Sequence, residues 1–188
     1  ATLALALAYR VLTVEALMAG AGGQNRFITS STSGAAASSV GVAGALAVNT
    51  VENRTRALVG GAGAVNAGGG NVRIEAANES ESTAEAKPAD GGTSGDSVGF
   101  GASVAINVAT NEVRAAVENG GQVNDAQDVT LSATGRHAMA TDAEAGAAGG
   151  IGLTPVVAVS VADNTTTARL GSGGALDLVG NLLVSATH

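Results

Sequence analysis

The chain contains no cysteine and no tryptophan, and only two prolines, one tyrosine and two phenylalanines occur among its 188 residues. The missing cysteine excludes a disulfide scaffold, a thiol nucleophile and a cysteine-based zinc site. Aromatic residues are 2% of the total, so few side chains are large enough to fill a core of ordinary thickness. Because hydrophobic residues still reach 45%, the composition predicts a thin core closed by small side chains.

Positive charge is also scarce, since nine lysines and arginines stand against sixteen aspartates and glutamates, a formal net charge of −7. Binding to nucleic-acid phosphates needs clustered cations, so we expect no nucleic-acid partner. No apolar run approaches the roughly 18 to 20 residues that a membrane helix requires. We therefore expect no membrane insertion of this segment.

An internal repeat is the strongest signal in the sequence. Three copies of one block, separated by 58 and then 53 residues, read ALAVNTVENRTRALVGG from Ala45, SVAINVATNEVRAAVENGG from Ser103 and VVAVSVADNTTTARLGSGG from Val156. A second block recurs in phase, and its copies end at Ala16, Ala76, Ala133 and Ala186. We interpret residues 1–188 as a single repeat array and a fragment of a longer chain. Its units are approximately 1–37 (partial), 38–94, 95–150 and 151–188 (partial).

Alternation at a period of two predicts strands nearly throughout, including the N-terminal residues Leu3 to Val11. Glycine interrupts almost every window, which disfavours helix. The fold class is therefore all-β. Stacked repeats with small inward residues predict a right-handed parallel β-helix, or β-solenoid, built from about three units of 53–60 residues. The alternative is antiparallel hairpin repeats in a sandwich or meander, with each hairpin turning near Thr110-Asn111.

Asn53, Asn111 and Asn164 occupy the same position of the repeat. We predict that they form structural repeat turns, because asparagine tolerates the left-handed conformation of turns. The alternative is that their amides stack along the array. Length differences between units fall in glycine-rich linkers, which we expect to form loops.

Two segments invite a chemical interpretation. His137 lies near Asp142 and Glu144, a set that can bind metal or act in acid–base catalysis, but a solvated strand face is the favoured interpretation. GGTSGDSVGF, with Asp96, resembles the calcium-binding nonapeptide of β-rolls. Its spacing is off by one and it occurs once, so a linker is favoured and Asp96 is the alternative calcium ligand. We expect no other metal and no cofactor.

Other motifs lead to the prediction that the chain is not an enzyme. GAGAVNAGGG, residues 61–70, matches a repeat turn and lacks the lysine of a phosphate-binding loop. Glu79, Glu81 and Glu85 alternate on one strand face, where paired carboxylates can cleave sugars, but the aromatics that hold sugar rings are nearly absent. We interpret these glutamates as a solvated acidic face. Sequons mark possible glycosylation at Asn53, Asn78 and Asn164.

The phrases VAINVATN, from Val104, and DVTLSAT, from Asp128, resemble the repeats of large bacterial filamentous adhesins of the leukotoxin and filamentous haemagglutinin types. The resemblance covers roughly residues 38–188 and, more loosely, the first 20. It implies a secreted stalk of parallel β-helical character that is displayed on the bacterial cell surface.

From this resemblance we expect a structural or adhesive segment of an extracellular filament. Its expected partners are itself, through repeat stacking or filament assembly, and a host or neighbouring-cell surface. The first alternative is a self-assembling extracellular filament subunit. Lesser alternatives are a fragment of an outer-membrane β-barrel, which also shows alternation but carries aromatic girdles, and a β-helical carbohydrate-active enzyme.

Overall fold

The computed structural model describes residues 11–18 and 24–188, and this part of the chain is all-β. The predicted strand over residues 1–10 lies outside the described residues. The strands are β1 (Val11–Met18), β2 (Asn25–Ala37), β3 (Val40–Val59), β4 (Ala64–Gly95), β5 (Val98–Val117), β6 (Gln122–Ala143), β7 (Ala147–Ala148), β8 (Ile151–Leu153), β9 (Val156–Leu170), β10 (Leu176–Leu178) and β11 (Leu182–Thr187).

The strands form two sheets, and the chain alternates between them. Sheet A contains β1, β2, β4, β6, β7, β10 and β11, and sheet B contains β3, β5, β8 and β9. Every pairing between described strands is parallel. Parallel neighbours need a crossover connection, and here the crossover is the strand of the opposite sheet. The alternative of antiparallel hairpin repeats is therefore wrong.

The pairing register reproduces the sequence repeat. In sheet B, Ala57 pairs with Ala115, which pairs with Ala168. Sheet A shows the same agreement, because the four alanines that end the second sequence block pair in order: Ala16, Ala76, Ala133 and Ala186. Residues that the repeat aligns in sequence thus lie side by side on neighbouring, hydrogen-bonded strands.

The predicted turns at Asn53, Asn111 and Asn164 are wrong. The three residues lie inside β3, β5 and β9, and β5 runs without interruption from Val98 to Val117. Asn53 and Asn111 are buried. Their side chains find hydrogen-bond partners between the sheets, so the residues do not need the turn geometry that asparagine favours elsewhere.

The space between the sheets narrows from one end of the strands to the other, and the buried side chains become smaller in the same direction. At the wide end, the fully buried residues include Ile74, Leu131 and Val113. Further along, the buried layer shrinks to alanines such as Ala47 and Ala105. This order confirms the expectation of a core closed by small side chains.

At the narrow end the backbones nearly touch, and glycine becomes a steric requirement. A Cβ on Gly101 would lie 2.4 Å from the carbonyl oxygen of Gly146, and one on Gly41 would lie 2.3 Å from that of Ser94. Such distances are far below van der Waals contact. The glycine-rich linkers were expected to form loops, yet β2 continues to Ala37 and β4 to Gly95. Much of their glycine, alanine and serine content therefore builds the narrow end of the sheets.

Candidate functional site

A ladder of asparagine side chains runs between the sheets, perpendicular to the strands. Asn53 Nδ2 donates to Asn111 Oδ1 at 2.7 Å, and Asn111 Nδ2 donates to Asn164 Oδ1 at 2.7 Å. We call Asn53, Asn111 and Asn164 the amide ladder. The inner amide, Asn111, accepts from one neighbour and donates to the other, so the chain of bonds runs through three successive strands of sheet B. The predicted alternative, amide stacking, describes what these residues do.

A second polar layer joins the two sheets to each other. Asn107 Nδ2 in sheet B donates to the carbonyl oxygens of Ser82 and Ala140, at 2.9 Å each, on two neighbouring strands of sheet A. Asn107 Oδ1 accepts from Ser82 Oγ at 2.5 Å. Asn49 makes the matching contact one strand away, because its Nδ2 donates to Ser82 Oγ at 3.1 Å. The sequence repeat aligns Asn49 with Asn107, and the alternation of the strand indicates that both side chains point inward. It did not predict their hydrogen bonds to the opposite sheet.

His137 borders a small polar cavity of about 20 Å³ that the amide ladder also lines. Such a volume holds about one water molecule. His137 Nδ1 lies 2.8 Å from Ser80 Oγ, while Nε2 is buried without a hydrogen-bond partner. Burial lowers the pKa of His137, and the nearby His188 lowers it further. The imidazole is therefore neutral at pH 7.

The structure does not bring His137 together with Asp142 and Glu144. His137 faces Ser80 between the sheets, whereas Asp142 lies on the outer face and forms an ion pair with Lys87 Nζ at 3.3 Å. Within the described residues, no group of three or more histidine, aspartate or glutamate side chains is placed to hold a metal ion. Asp96, the alternative calcium ligand, is exposed in the short turn between β4 and β5.

The three sequon asparagines differ in accessibility. Asn53 and Asn78 are 2% and 3% exposed, so neither can carry a glycan in this fold. Asn164 is half-buried and accepts the last bond of the amide ladder. Both polar side-chain atoms of Asn78 are buried without a partner.

Carboxylates on the outer face of sheet A are paired with cations or amides. Glu81 forms an ion pair with Arg26 at 2.9 Å, Glu85 pairs with Lys87, and Glu79 accepts a hydrogen bond from Gln24 at 3.0 Å. The expectation of a solvated acidic face is thus modified, because Lys87 of the same strand and two residues of the adjacent segment, Gln24 and Arg26, supply partners to these carboxylates. On sheet B, Arg56 Nε donates to Glu112 Oε1 at 2.9 Å, and this bond lowers the pKa of the carboxyl.

Polar side chains also cap the bends of sheet A from one repeat to the next. Asn71 Oδ1 accepts from the backbone N–H of Asp128 at 3.2 Å, and Asp128 Oδ1 accepts from that of Asn181 at 2.8 Å. A groove of about 450 Å³ lies along this column. Its lining combines these polar residues with Arg73, Thr130 and three apolar side chains, namely Val11, Val129 and Leu183.

The outer face of sheet B carries an apolar stripe. Small and polar residues of β3, β5 and β9 face inward, and the residues between them point away from the interior. Leu46 is 61% exposed and Val159 40% exposed. We define the apolar stripe by its members: Val42, Leu46, Val48, Phe100, Val104, Ile106, Val108, Leu153, Val157, Val159 and Val161. Contiguous exposed apolar surface of this kind marks contact surfaces in soluble proteins.

Comparison with known proteins gives no relative: no family model, curated protein or solved structure matches the chain. Among the described residues there is no helix long and apolar enough to cross a membrane.

Proposed function

We propose that this chain is a segment of a β-solenoid stalk, a structural element that gives stiffness and display surface to a secreted filamentous protein. The observation that carries the proposal is the spacing between paired residues. In both sheets, residues that pair on neighbouring strands are 53 to 60 positions apart in the sequence. A polymer of identical steps stacked in this way extends along one axis, because each unit contacts only its neighbours.

In the proposed solenoid, each repeat unit makes one flattened coil. The chain enters sheet B in β3, returns in sheet A in β4, and enters sheet B again in β5, directly beside β3. Each coil thus has two sides, one formed by a strand of sheet A and the other by a strand of sheet B. The amide ladder and the cross-sheet bonds of Asn107 support stiffness, because bending the stack would break bonds along the axis and between the walls at the same time.

The placement on a bacterial cell surface rests on the sequence resemblance to filamentous adhesins, together with the absence of cysteine, which suits a protein exported unfolded. A non-enzymatic role fits the site, since the buried polar side chains are mostly engaged in structural bonds. In an adhesive role, the stalk would meet a host or neighbouring-cell surface through its outer faces.

The experiment is to lengthen the array. The central unit, residues 98–150, is copied five times in tandem, and small-angle X-ray scattering compares the extended chain with the original. Each added coil should lengthen the particle by about 4.8 Å, the distance between neighbouring strands, with an unchanged cross-section. Growth of the cross-section, or a spherical scattering profile, would contradict the stalk.

A second candidate is a self-assembling filament subunit, and the apolar stripe favours it. Two copies that pack their stripes face to face would bury eleven large side chains on each side, at the spacing of about 10 Å that stacked sheets adopt. Ile106 lies in the middle strand of the stripe, so Ile106→Lys should abolish such an association.

Sedimentation velocity tests this candidate over a range of protein concentrations. Thr110→Lys is the matched control, because Thr110 lies on the same face of the same strand but outside the stripe. Association of the original chain and of Thr110→Lys, together with a monomeric Ile106→Lys variant, supports self-assembly. A chain that stays monomeric throughout excludes it.

A further inference from the structure

Three donor atoms converge on the empty side of Gly135, between the sheets. The position that a Cβ of this residue would occupy lies 2.6 Å from Thr166 Oγ1, 3.0 Å from His137 Nε2 and 3.4 Å from His188 Nδ1. The atoms come from three parts of the chain, namely β6, β9 and the residue after β11. A side chain at this position would collide with these atoms, so glycine is what lets all three come this close to the backbone.

The atoms that face this space are held in place by their neighbours. Ser80 Oγ lies 2.8 Å from Nδ1 of His137, and Thr166 Oγ1 lies 3.2 Å from Nδ1 of His188. The two rings are 5.5 Å apart between centroids, with 42° between their planes. His137 Nε2 is buried and has no partner in the protein. A buried nitrogen without a hydrogen bond is costly unless something else binds it.

We propose that His137, His188 and Thr166 form a binding site for a late first-row divalent metal ion, with zinc as the ion used to test it. His137 Nε2 and His188 Nδ1 supply the two nitrogen ligands. The hydroxyl of Thr166 is the third donor, and water completes the coordination. This site is independent of the proposed stalk function, since it uses no residue of the amide ladder.

The chemistry of the donors selects the class of ion. Imidazole nitrogen suits zinc, copper and nickel, whereas calcium and magnesium prefer sets of oxygen ligands. Two imidazoles on one tetrahedral ion, with metal–nitrogen bonds of about 2.0–2.1 Å, place their ring centroids roughly 5 Å apart. The observed 5.5 Å is close to this spacing.

Ser80 has a positioning role at this site. When Nδ1 of His137 is protonated and donates to Ser80 Oγ, the lone pair of the ring is on Nε2, which faces the space over Gly135. Metal-bound histidines usually donate their second nitrogen to such a partner, which fixes tautomer and ring orientation. The lowered pKa of His137 keeps the ring neutral and able to bind metal at pH 7.

The test is a zinc titration of metal-free protein by calorimetry at pH 7.5, with nitrogen NMR of the imidazoles in parallel. His137 and His188 are the only histidines and the chain has no cysteine, so the background is low. We expect one zinc per chain, with shifts of His137 Nε2 and His188 Nδ1. His137→Gln and His188→Gln should each weaken binding at least tenfold. Ser80→Ala should weaken it about 10- to 100-fold.

Gly135→Ala is the decisive variant, because its Cβ would lie 2.6 Å from Thr166 Oγ1 and would push this donor aside while removing no ligand. It should weaken zinc binding at least tenfold with both imidazoles present, whereas Gly44→Ala, where a Cβ meets only an atom 3.7 Å away, should bind as the original does. Circular dichroism checks that each variant is folded. Should Gly135→Ala fail to fold, the histidine variants and the NMR shifts decide. Zinc binding by the double variant His137→Gln/His188→Gln would overturn the proposal. So would the absence of zinc binding by the original chain.

Discussion

Asn53 and Asn111 are 58 positions apart in the sequence, and their side-chain amides are joined by a hydrogen bond of 2.7 Å. The bond lies between the sheets, where Asn53 is 2% exposed and Asn111 3% exposed. An unpaired amide at this depth would cost more free energy than the bond itself contributes. The amide ladder therefore favours one register over its neighbours, since a slip of one residue would turn the asparagine of the slipped strand outward and leave the remaining buried amides without a partner.

The central amide should matter more than the outer one. Asn111→Ala orphans Nδ2 of the buried Asn53, which costs roughly 1–3 kcal/mol, and also Oδ1 of the half-buried Asn164. Asn53→Ala removes the same atoms but breaks one amide bond, and Ser80 Oγ remains 3.4 Å from Asn111 Oδ1. Urea unfolding followed by circular dichroism should show the larger loss for Asn111→Ala. Equal losses would contradict the ladder.

The narrow end of the sheets should reject a single methyl group. Gly101→Ala places a Cβ 2.4 Å from a backbone oxygen, and we expect a loss of about 1–3 kcal/mol in the free energy of unfolding. Gly44→Ala is the matched control on the neighbouring strand, because it meets nothing closer than 3.7 Å. That variant should be neutral or more stable by about 0.4–1 kcal/mol. Thermal unfolding that ranks the two variants equally would argue against close contact of the backbones.

Stability should fall on mild acidification, through His137. Burial lowers the pKa of this group below its ordinary value of 6.5, so the unfolded chain takes up the proton first. The free energy of unfolding should therefore decrease as the pH falls through 6.5, and level off below the pKa of the folded state. His137→Gln should remove this dependence between pH 7.5 and 5, measured as urea midpoints. His188→Gln removes the smaller of the two causes of the lowered pKa, so it should weaken the dependence without abolishing it. A pH profile unchanged by His137→Gln would refute the assignment.

The outer ion pair should contribute little at neutral pH. Arg56 and Glu112 form a hydrogen-bonded pair on an exposed face, where solvent screening leaves such pairs only a small contribution to stability. Because the pKa of Glu112 is lowered, its contribution is present above the ordinary value of 4.5 and lost as the pH falls below that. Glu112→Gln should be slightly less stable than the original chain at pH 7, and the difference should shrink as the pH falls below 4.5. A loss of stability in Glu112→Gln that is larger at pH 3 than at pH 7 would contradict this prediction.

Much of this architecture could be read from periodicity, because residues that repeat in sequence also pair in space. The alignment of Ala57, Ala115 and Ala168 predicted the register of sheet B. The small inward residues followed from the same repeat. Strand pairing of this kind needs only a periodic pattern and a parallel stack, both of which a single sequence carries.

The local features were harder to predict from the sequence, since they depend on contacts between residues that are far apart along the chain. Asn111 has the propensity of a turn residue, yet it lies within a strand because Asn53 and Asn164 satisfy its amide. Glycines near Gly101 looked like a flexible linker, but they are required where two backbones meet. The convergence of His137 and His188 joins strands that no local motif connects, so spacing in the sequence gave no sign of it.

The most direct measurement is disulfide formation between engineered cysteines, which the cysteine-free chain allows without background. Glu52 and Thr110 are register partners on adjacent strands, and their Cα spacing of about 4.8 Å suits a disulfide. Val108 and Val113 are five residues apart within one strand, about 16 Å, but would face each other in a hairpin turning at Thr110-Asn111. Parallel stacking of the repeats predicts that mild oxidation links the pair Glu52→Cys/Thr110→Cys and leaves Val108→Cys/Val113→Cys reduced. The reverse result would contradict parallel stacking of the repeats.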